Sequence, residues 1–319
     1  MVRVLITGAT GFIGSHLTQT CLARGDELAV VSRPESPLGR LAGKTDQISV
    51  YRLNLTDAVA LKTCLAETRP EVIFHTSAQT RFSAENSASN WCESIVENIS
   101  GLINLVSLAA TSKLPPRVLV RAASIAEYGD IEIPYVETAQ ASPRNAYGAS
   151  MLAGTQYLTA TQPFLPFPAV SARLALTYGP GQSDDFLIPH LIKGFLSDQP
   201  VTIHRPHDQR DLIYIGDVVR ALMMIADDPA PAGSVINVCS GKAPNMGEVA
   251  RTLAGITGAA KELINLKPAL DAPSVLACDP GRFVAAYGWA PDTPLLEGLE
   301  RTVKWSRQNQ APVPAEREK

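Results

Sequence analysis

The sequence predicts an α/β fold: a doubly wound parallel sheet in the first part of the chain and a smaller C-terminal α/β unit behind it. Residues 2–17 read V-R-V-L-I-T-G-A-T-G-F-I-G-S-H-L, a short apolar strand, then glycines at every third position, then an amphipathic continuation. Strand-like and helix-like stretches alternate through the first third, the pattern of a parallel sheet covered on both faces. From Pro180 onward the pattern loosens into Gly- and Pro-rich turns with shorter elements.

Taken in order, the strand Val2–Thr7 runs into a turn at Gly8, Gly11 and Gly14 and a helix over Gly11–Arg24. Such a turn lets the backbone bend tightly, approach a pyrophosphate with no Cβ in the way, and present free helix N-terminal N–H groups to the anion. A strand at Leu28–Ser32 follows, then a polar loop Arg33–Asp46 holding Pro34 and Pro37, a strand at Ile48–Asn54, a helix at Ala58–Thr68 and the apolar run Val72–His75. The middle third carries helices over about Asn90–Ala110 and about Tyr147–Ala160, separated by the strand Arg117–Ala122. Each has an apolar side wide enough for the core and for contact with a second subunit, so a homodimer is expected. Further on, the pattern gives a helix near Asp217–Ala226, a strand Val235–Cys239, and helices near Met246–Thr257 and Leu295–Ser306. Residues 1–180 and 207–239 form the dinucleotide-binding unit in this reading, and 181–206 with 240–308 the substrate unit. The polar, proline-broken stretch 309–319 is expected to be disordered.

Composition narrows the partners. With 319 residues, 45% hydrophobic and 18% charged, the chain can bury a large core. A net charge of -3 with no Lys/Arg cluster speaks against nucleic acid and anionic membrane. A strand starting at residue 2 leaves no room for a signal peptide, and no run reaches the length of a membrane span, so a cytoplasmic protein is expected. Cys21, Cys64, Cys92, Cys239 and Cys278 are scattered without a C-x-x-C, which reads as reduced thiols. His190, His204 and His207 lack metal-ligand spacing, so no metal is expected.

The second strand ends in Ser32-Arg33. An acidic residue there would accept from the ribose 2′-OH of NAD, whereas a cation suits a 2′-phosphate, so NADP(H) is favoured and NAD(H) stays open. Arg40 in the same loop is a second candidate for that phosphate.

Motifs along the whole chain carry a resemblance. They are T-G-A-T-G-F-I-G from Thr7, H-T-S-A-Q from His75, N-I-S-G-L-I-N from Asn98, A-S-I-A-E-Y-G from Ala123, Y-G-A-S-M from Tyr147, Y-G-P-G from Tyr178 and R-D-L-I-Y-I-G-D from Arg210. In this order, and with Y-G-W-A-P from Tyr287 and a closing helix from Leu295, the chain resembles the extended short-chain dehydrogenase/reductase family. These are Rossmann-type nucleotide-sugar epimerases, dehydratases and 4-keto reductases. The resemblance implies that Tyr147 moves the proton at the carbonyl or hydroxyl whose carbon exchanges hydride, and that Ser124 hydrogen-bonds the same oxygen. It implies cofactor contacts from Gly8, Thr10, Gly11, Phe12, Ile13, Gly14, Ser32, Arg33, Asn54, Leu55, Ala78 and Tyr147, with Asn54 reaching the adenine amino group through its carbonyl oxygen. For the substrate it implies Thr80, Ser124, Arg210 and Lys267. Arg210 would bind the diphosphate of a nucleotide sugar, unless it is paired to Asp211 or Asp217.

The departures from the family pattern are informative. Met151 stands where the family has a lysine, four residues after the tyrosine. Without that cation the Tyr147 phenol stays nearer its ordinary value of about 10 and is neutral at pH 7, which suits proton donation to a ketone. Three readings stay open: a reductase working through a protonated Tyr147, a site in which another cation such as Arg144 replaces the lysine, and a dinucleotide-binding protein with weakened catalysis. Ile125 and Ala126 occupy the positions of the Asp-Glu pair of family 4,6-dehydratases, which argues against that reaction. Glu127 reads as a structural hydrogen-bond partner, and His75 as a satisfied structural histidine. Leu176 replaces an asparagine of the diphosphate site, and only Lys267 lies near the position of its second arginine. The sequence reading is thus a 4-keto reductase of a nucleotide-activated sugar, with a nucleotide-sugar epimerase holding NAD as the alternative.

Overall fold

The computed structural model describes residues 1–80, 92, 95–230, 233–267 and 271–309. Its strands in chain order are β1 (Arg3–Thr7), β2 (Glu27–Ser32), β3 (Ser49–Arg52), β4 (Val72–His75), β5 (Val118–Ser124) and β6 (Ala169–Leu174), then the short β7 (Leu176–Tyr178), β8 (Val201–Ile203), β9 (Gln209–Arg210) and β10 (Leu212–Tyr214), then β11 (Val235–Val238), β12 (Ile264–Leu266) and β13 (Val275–Leu276). Seven of them form one sheet in the order β11-β6-β5-β4-β1-β2-β3. Every pairing in that sheet is parallel. The chain grows outward from β1 to β3, then returns to lay β4 against the other side of β1. That reversal opens a crevice at the carboxyl ends of β1 and β4, where α/β sheets place their ligands.

Strand side chains alternate between two buried faces, as a doubly covered sheet requires. Val4, Ile6, Val30, Val72, Phe74 and Val120 pack with Leu17, Cys21, Val218 and Leu222 of the helices Phe12–Arg24 and Ile215–Asp227. Leu5, Val31, Ile73 and Leu119 pack on the other side with Leu61, Leu102, Leu105 and Leu158 of the helices Ala58–Thr68, Gly101–Ala110 and Ala146–Thr161. A third apolar cluster gathers Tyr178, Leu191, Phe195, Ile203, Val249, Leu253 and Leu299. It is built from the helices Leu187–Leu196, Met246–Thr257 and Leu295–Asn309, with β12 laid parallel on β8.

Some elements were hidden in the sequence. β6 reads A-V-S-A-R-L, and its buried Ser171 and Arg173 mask the apolar pattern. The Leu187–Leu196 helix contains Pro189, tolerated because it lies in the first turn, where its missing N–H has no intrahelical acceptor. The helix expected from Asn90 is regular over Gly101–Ala110 and preceded by a π-turn at Val96–Ser100; its expected start lies outside the described residues. The last helix runs through Asn309, beyond the expected Ser306, and the rest of the tail expected to be disordered, 310–319, lies outside the described residues. The helix Gly281–Tyr287, not expected at all, packs on β11 and places Phe283 in the core under the large sheet. Among the described residues no helix is long and apolar enough to cross a membrane, and all five cysteines are free thiols.

Candidate active site

At the β1 and β4 carboxyl ends the glycine turn fits backbone to backbone. Gly8 has φ 73, and a Cβ there would lie 2.7 Å from the Ser77 amide nitrogen. A Cβ on Gly14 would fall onto the Gly8 carbonyl oxygen and 2.8 Å from Ala9 Cα. The helix that follows has Gly11 at its N-cap, no capping side chain and no acidic residue in its first turn. Its leading N–H groups are therefore left to an anion. A cleft of about 350 Å³ opens here, and Gly8, Thr10, Gly11, Ser32, Arg33, Asn54, Leu55 and Ala78 line it together, with Phe12, Ile13 and Gly14 in the helix turn behind. This polar, concave cradle fits a dinucleotide.

Glu35, Ser36, Thr76, Ser77, Gln79 and Glu97 also line the cleft and were not singled out in the sequence. The first two belong to a loop with no periodic signal. Thr76, Ser77 and Gln79 flank the expected Ala78 in the H-T-S-A-Q motif and reach the cleft because β4 pairs with β1. The Ser32–Arg33 end of the cleft is more acidic than the sequence suggested. Arg33 Nε lies 3.2 Å from Glu35 and its Nη1 3.9 Å from Glu97. Ser32 Oγ accepts from Arg52 Nη1 at 3.2 Å. Arg40 donates to the carbonyls of Gly181 at 3.0 Å and Thr10 at 3.2 Å.

Two strands from the glycine turn, Ser124 ends β5. Its Oγ accepts from the Ala126 amide at 3.1 Å and lies near the Tyr147 hydroxyl. Tyr147 lies in the first turn of the Ala146–Thr161 helix, which Asn145 caps by accepting from the Gly148 amide at 2.8 Å. Asn98, carried by the motif that opens at its position, accepts from the Gln79 amide at 2.7 Å and donates to Ser150 Oγ at 2.9 Å. It thereby ties the cleft loop to the tyrosine's helix. Burial pushes the Tyr147 phenol above its ordinary value, and the nearby Ser124 hydroxyl and the charge of Arg121 offset part of that rise. The pair can therefore hold an oxygen and give it a proton at neutral pH.

Met151 is buried one turn along the same helix. Arg144, considered as a substitute for a lysine, is exposed and paired with Asp130. The cation that meets the helix here is Arg121 of β5, which donates to the Met151 carbonyl at 3.0 Å. Glu127, fully buried, accepts from Thr155 Oγ1 at 2.9 Å and Arg173 Nε at 2.8 Å, a structural partner as its context suggested. His75 Nδ1 meets Thr7 Oγ1 at 2.8 Å, and burial with the charge of Arg121 pushes it down to about 3, so the ring is neutral.

A second cleft, of about 450 Å³, is walled by Leu176, Phe186, Leu187, Ile203, Leu212 and Met246, with Arg205, Asp208 and Arg210 among its polar residues. Arg210 is paired neither to Asp211 nor to Asp217; its Nη2 donates to Asp208 Oδ2 at 2.6 Å and to Ser274 Oγ at 2.8 Å. Asp211 accepts from Ser240 Oγ at 2.6 Å and the Gly241 amide at 2.9 Å, and Asp217 from Thr293 Oγ1 at 3.1 Å. Lys267 and Thr80 are exposed and line neither cleft. Asp211, Cys239 and Cys278 have donor atoms within 4.8 Å of one another, close enough for a ligand set, but the Asp211 oxygens are taken by the backbone and Ser240.

The sequence model of the NAD dependent epimerase/dehydratase family matches residues 4–239. A UDP-glucose 4-epimerase of Mycolicibacterium smegmatis is 29% identical over 316 residues, covering 96% of this chain and 99% of the relative. A dTDP-glucose 4,6-dehydratase of Neisseria gonorrhoeae is 25% identical over 338 residues, covering 96% of each chain. Among solved structures, the UDP-glucose 4-epimerase of Thermus thermophilus in complex with NAD superposes with a TM-score of 0.84 at 26% identity, covering 97% of this chain and 100% of that one.

Proposed function

Because this chain belongs to the NAD dependent epimerase/dehydratase family, we propose that it moves hydride at a carbonyl- or hydroxyl-bearing carbon of a nucleotide-activated sugar, in the direction of keto-group reduction. The observation that carries this reading is the placement of Tyr147 beside Ser124 at the carboxyl edge of the sheet, with burial pushing the phenol further above neutrality. A bound nicotinamide dinucleotide supplies the hydride. Ser124 orients the substrate oxygen, Tyr147 delivers its proton, and the buried Glu127, Thr155 and Arg121 beneath keep the helix and the strand in register. The apolar wall of the second cleft suits the flat face of a base, and Arg210 is the donor beside it for a diphosphate.

The cofactor in this reading is NAD(H) rather than the NADP(H) that Arg33 suggested. Glu35 and Glu97 both face that guanidinium, and a 2′-phosphate would have to displace them. This same pairing favours a second reading, a nucleotide-sugar 4-epimerase that keeps NAD bound, the activity by which the Mycolicibacterium and Thermus relatives are known.

The two are separated by assaying the purified protein for bound NAD and then with reduced cofactor against UDP- and dTDP-4-keto sugars. Net consumption of reduced nicotinamide supports the reductase. Interconversion of C4 epimers without net consumption, on retained NAD, supports the epimerase. Cofactor binding with neither reaction removes the enzymatic reading.

A further inference from the structure

When a half-buried phenol gives up its proton, the phenolate left behind requires a positive charge nearby, and the helix that carries Tyr147 offers none on its inner face. Ser150, Met151, Gly154 and Thr155 are buried and neutral. Charge comes instead from the sheet beneath. Arg121, 1% exposed, rises from β5 and uses Nη2 on the Met151 carbonyl at 3.0 Å and its sulfur at 3.6 Å, and Nη1 on Thr155 Oγ1 at 2.9 Å. Gly154 makes the room: a Cβ there would stand 2.7 Å from Arg121 Nη2.

The charge count in this dry layer is unbalanced. Two guanidiniums, Arg121 from β5 and Arg173 from β6, face one carboxylate, Glu127. Arg173 holds that carboxylate closely, Nε to Oε2 at 2.8 Å, and lies over the Tyr128 ring at 4.4 Å. Arg121 Nη1 is 3.8 Å from Glu127, a looser contact. His75, its register partner on β4, is neutral, and Arg144 is exposed and spent on Asp130. The unmatched positive charge therefore belongs to Arg121, in a layer where water does not screen it.

We propose that Arg121 is a positioning residue for Tyr147, supplying from the sheet the positive charge that stabilises the phenolate and anchoring, through the Met151 carbonyl, the helix one turn beyond the phenol. This rests on the reading of Tyr147 as the proton carrier, and it explains how a neutral Met151 is compatible with that role.

The test introduces 3,5-difluorotyrosine at position 147, which brings ionisation into a range the folded protein tolerates, and follows its fluorine NMR shift against pH in the ligand-free full chain. Arg121→Gln should raise the midpoint by about one pH unit, and Arg121→Lys should leave it close to the parent value. Glu127→Gln should lower it. An unchanged midpoint in folded Arg121→Gln, or an equal rise for Lys and Gln, overturns the proposal; if Arg121→Gln does not fold, an unchanged midpoint in Glu127→Gln overturns it. The titration uses no substrate, so the coupling can fail while the proposed reaction stands, and the reaction can fail while the coupling stands.

Discussion

Asp208 and Arg210 are joined by a 2.6 Å hydrogen bond beside the apolar cleft, and the same carboxylate oxygen takes Arg205 Nε at 2.7 Å. Arg205 in turn reaches Asp271 at 2.8 Å. Two cations and two carboxylates thus balance where a diphosphate would have to bind, and the incoming phosphate must compete with Asp208 for Arg210. Asp208→Asn should therefore strengthen binding of UDP or dTDP, while Arg210→Ala should weaken it. Isothermal titration with each nucleotide reads both; weaker binding by Asp208→Asn would mean that the carboxylate orients the arginine rather than masking it.

The same residue sets an acid dependence. Burial pushes the Asp208 carboxyl up, but Arg205, the amide and hydroxyl of Ser274, and Arg210 outweigh it and hold the group well below the ordinary carboxylate range. A carboxyl depressed in the folded state contributes stability that is complete above the unfolded value of about 4 and is lost as pH falls toward the folded value. Thermal unfolding should accordingly show the parent losing stability below about pH 4 more steeply than Asp208→Asn, with the two curves running parallel above about pH 5.

At the other cleft, Glu97→Gln removes one of the carboxylates facing Arg33. The parent should bind NADH more tightly than NADPH, and the variant should gain about two- to fivefold in NADPH affinity with little change for NADH. Fluorescence titration with both cofactors measures the ratio, and a parent preference for NADPH would restore Arg33 as a 2′-phosphate ligand.

How much of this was legible in the sequence depended on whether the information was local. The Ala58–Thr68 and Met246–Thr257 helices and β4 match their expected bounds, because a capping Asp57 or Asn245 and an unbroken apolar run mark them within a few residues. The glycine cradle was legible for the same reason. Non-local facts were not. The partners of Arg33 lie in a loop and beyond the fourth strand, and the carboxylate that takes Arg210 is two residues away but turned onto it only by the fold. Arg121 reads in sequence as a polar interruption of a strand; only the approach of Gly154 and the one carboxylate shared with Arg173 give it a role.

Gly14→Ala should damage stability and cofactor binding together. The added methyl meets backbone atoms of Gly8 and Ala9, which cannot yield without opening the turn. A cost of about 1–3 kcal/mol in urea unfolding, with loss of NADH binding, is expected from such overpacking. Retained binding in a destabilised Gly14→Ala protein would separate the turn's packing role from the cofactor.

Tyr147→Phe removes the proton and keeps the ring. If Tyr147 delivers the proton, reduction of a keto sugar should fall by about 10²–10⁴ while NADH affinity stays within a factor of about two. The pH dependence follows from the direction of its titration: burial raises the phenol above its ordinary value of about 10, so the protonated donor persists through neutrality. The parent's reduction rate should be flat from about pH 6 to 9 and decline only as the phenol ionises beyond that. A rate that rises with pH across this interval would instead mark Tyr147 as a base in the limiting step, which is the behaviour of alcohol oxidation.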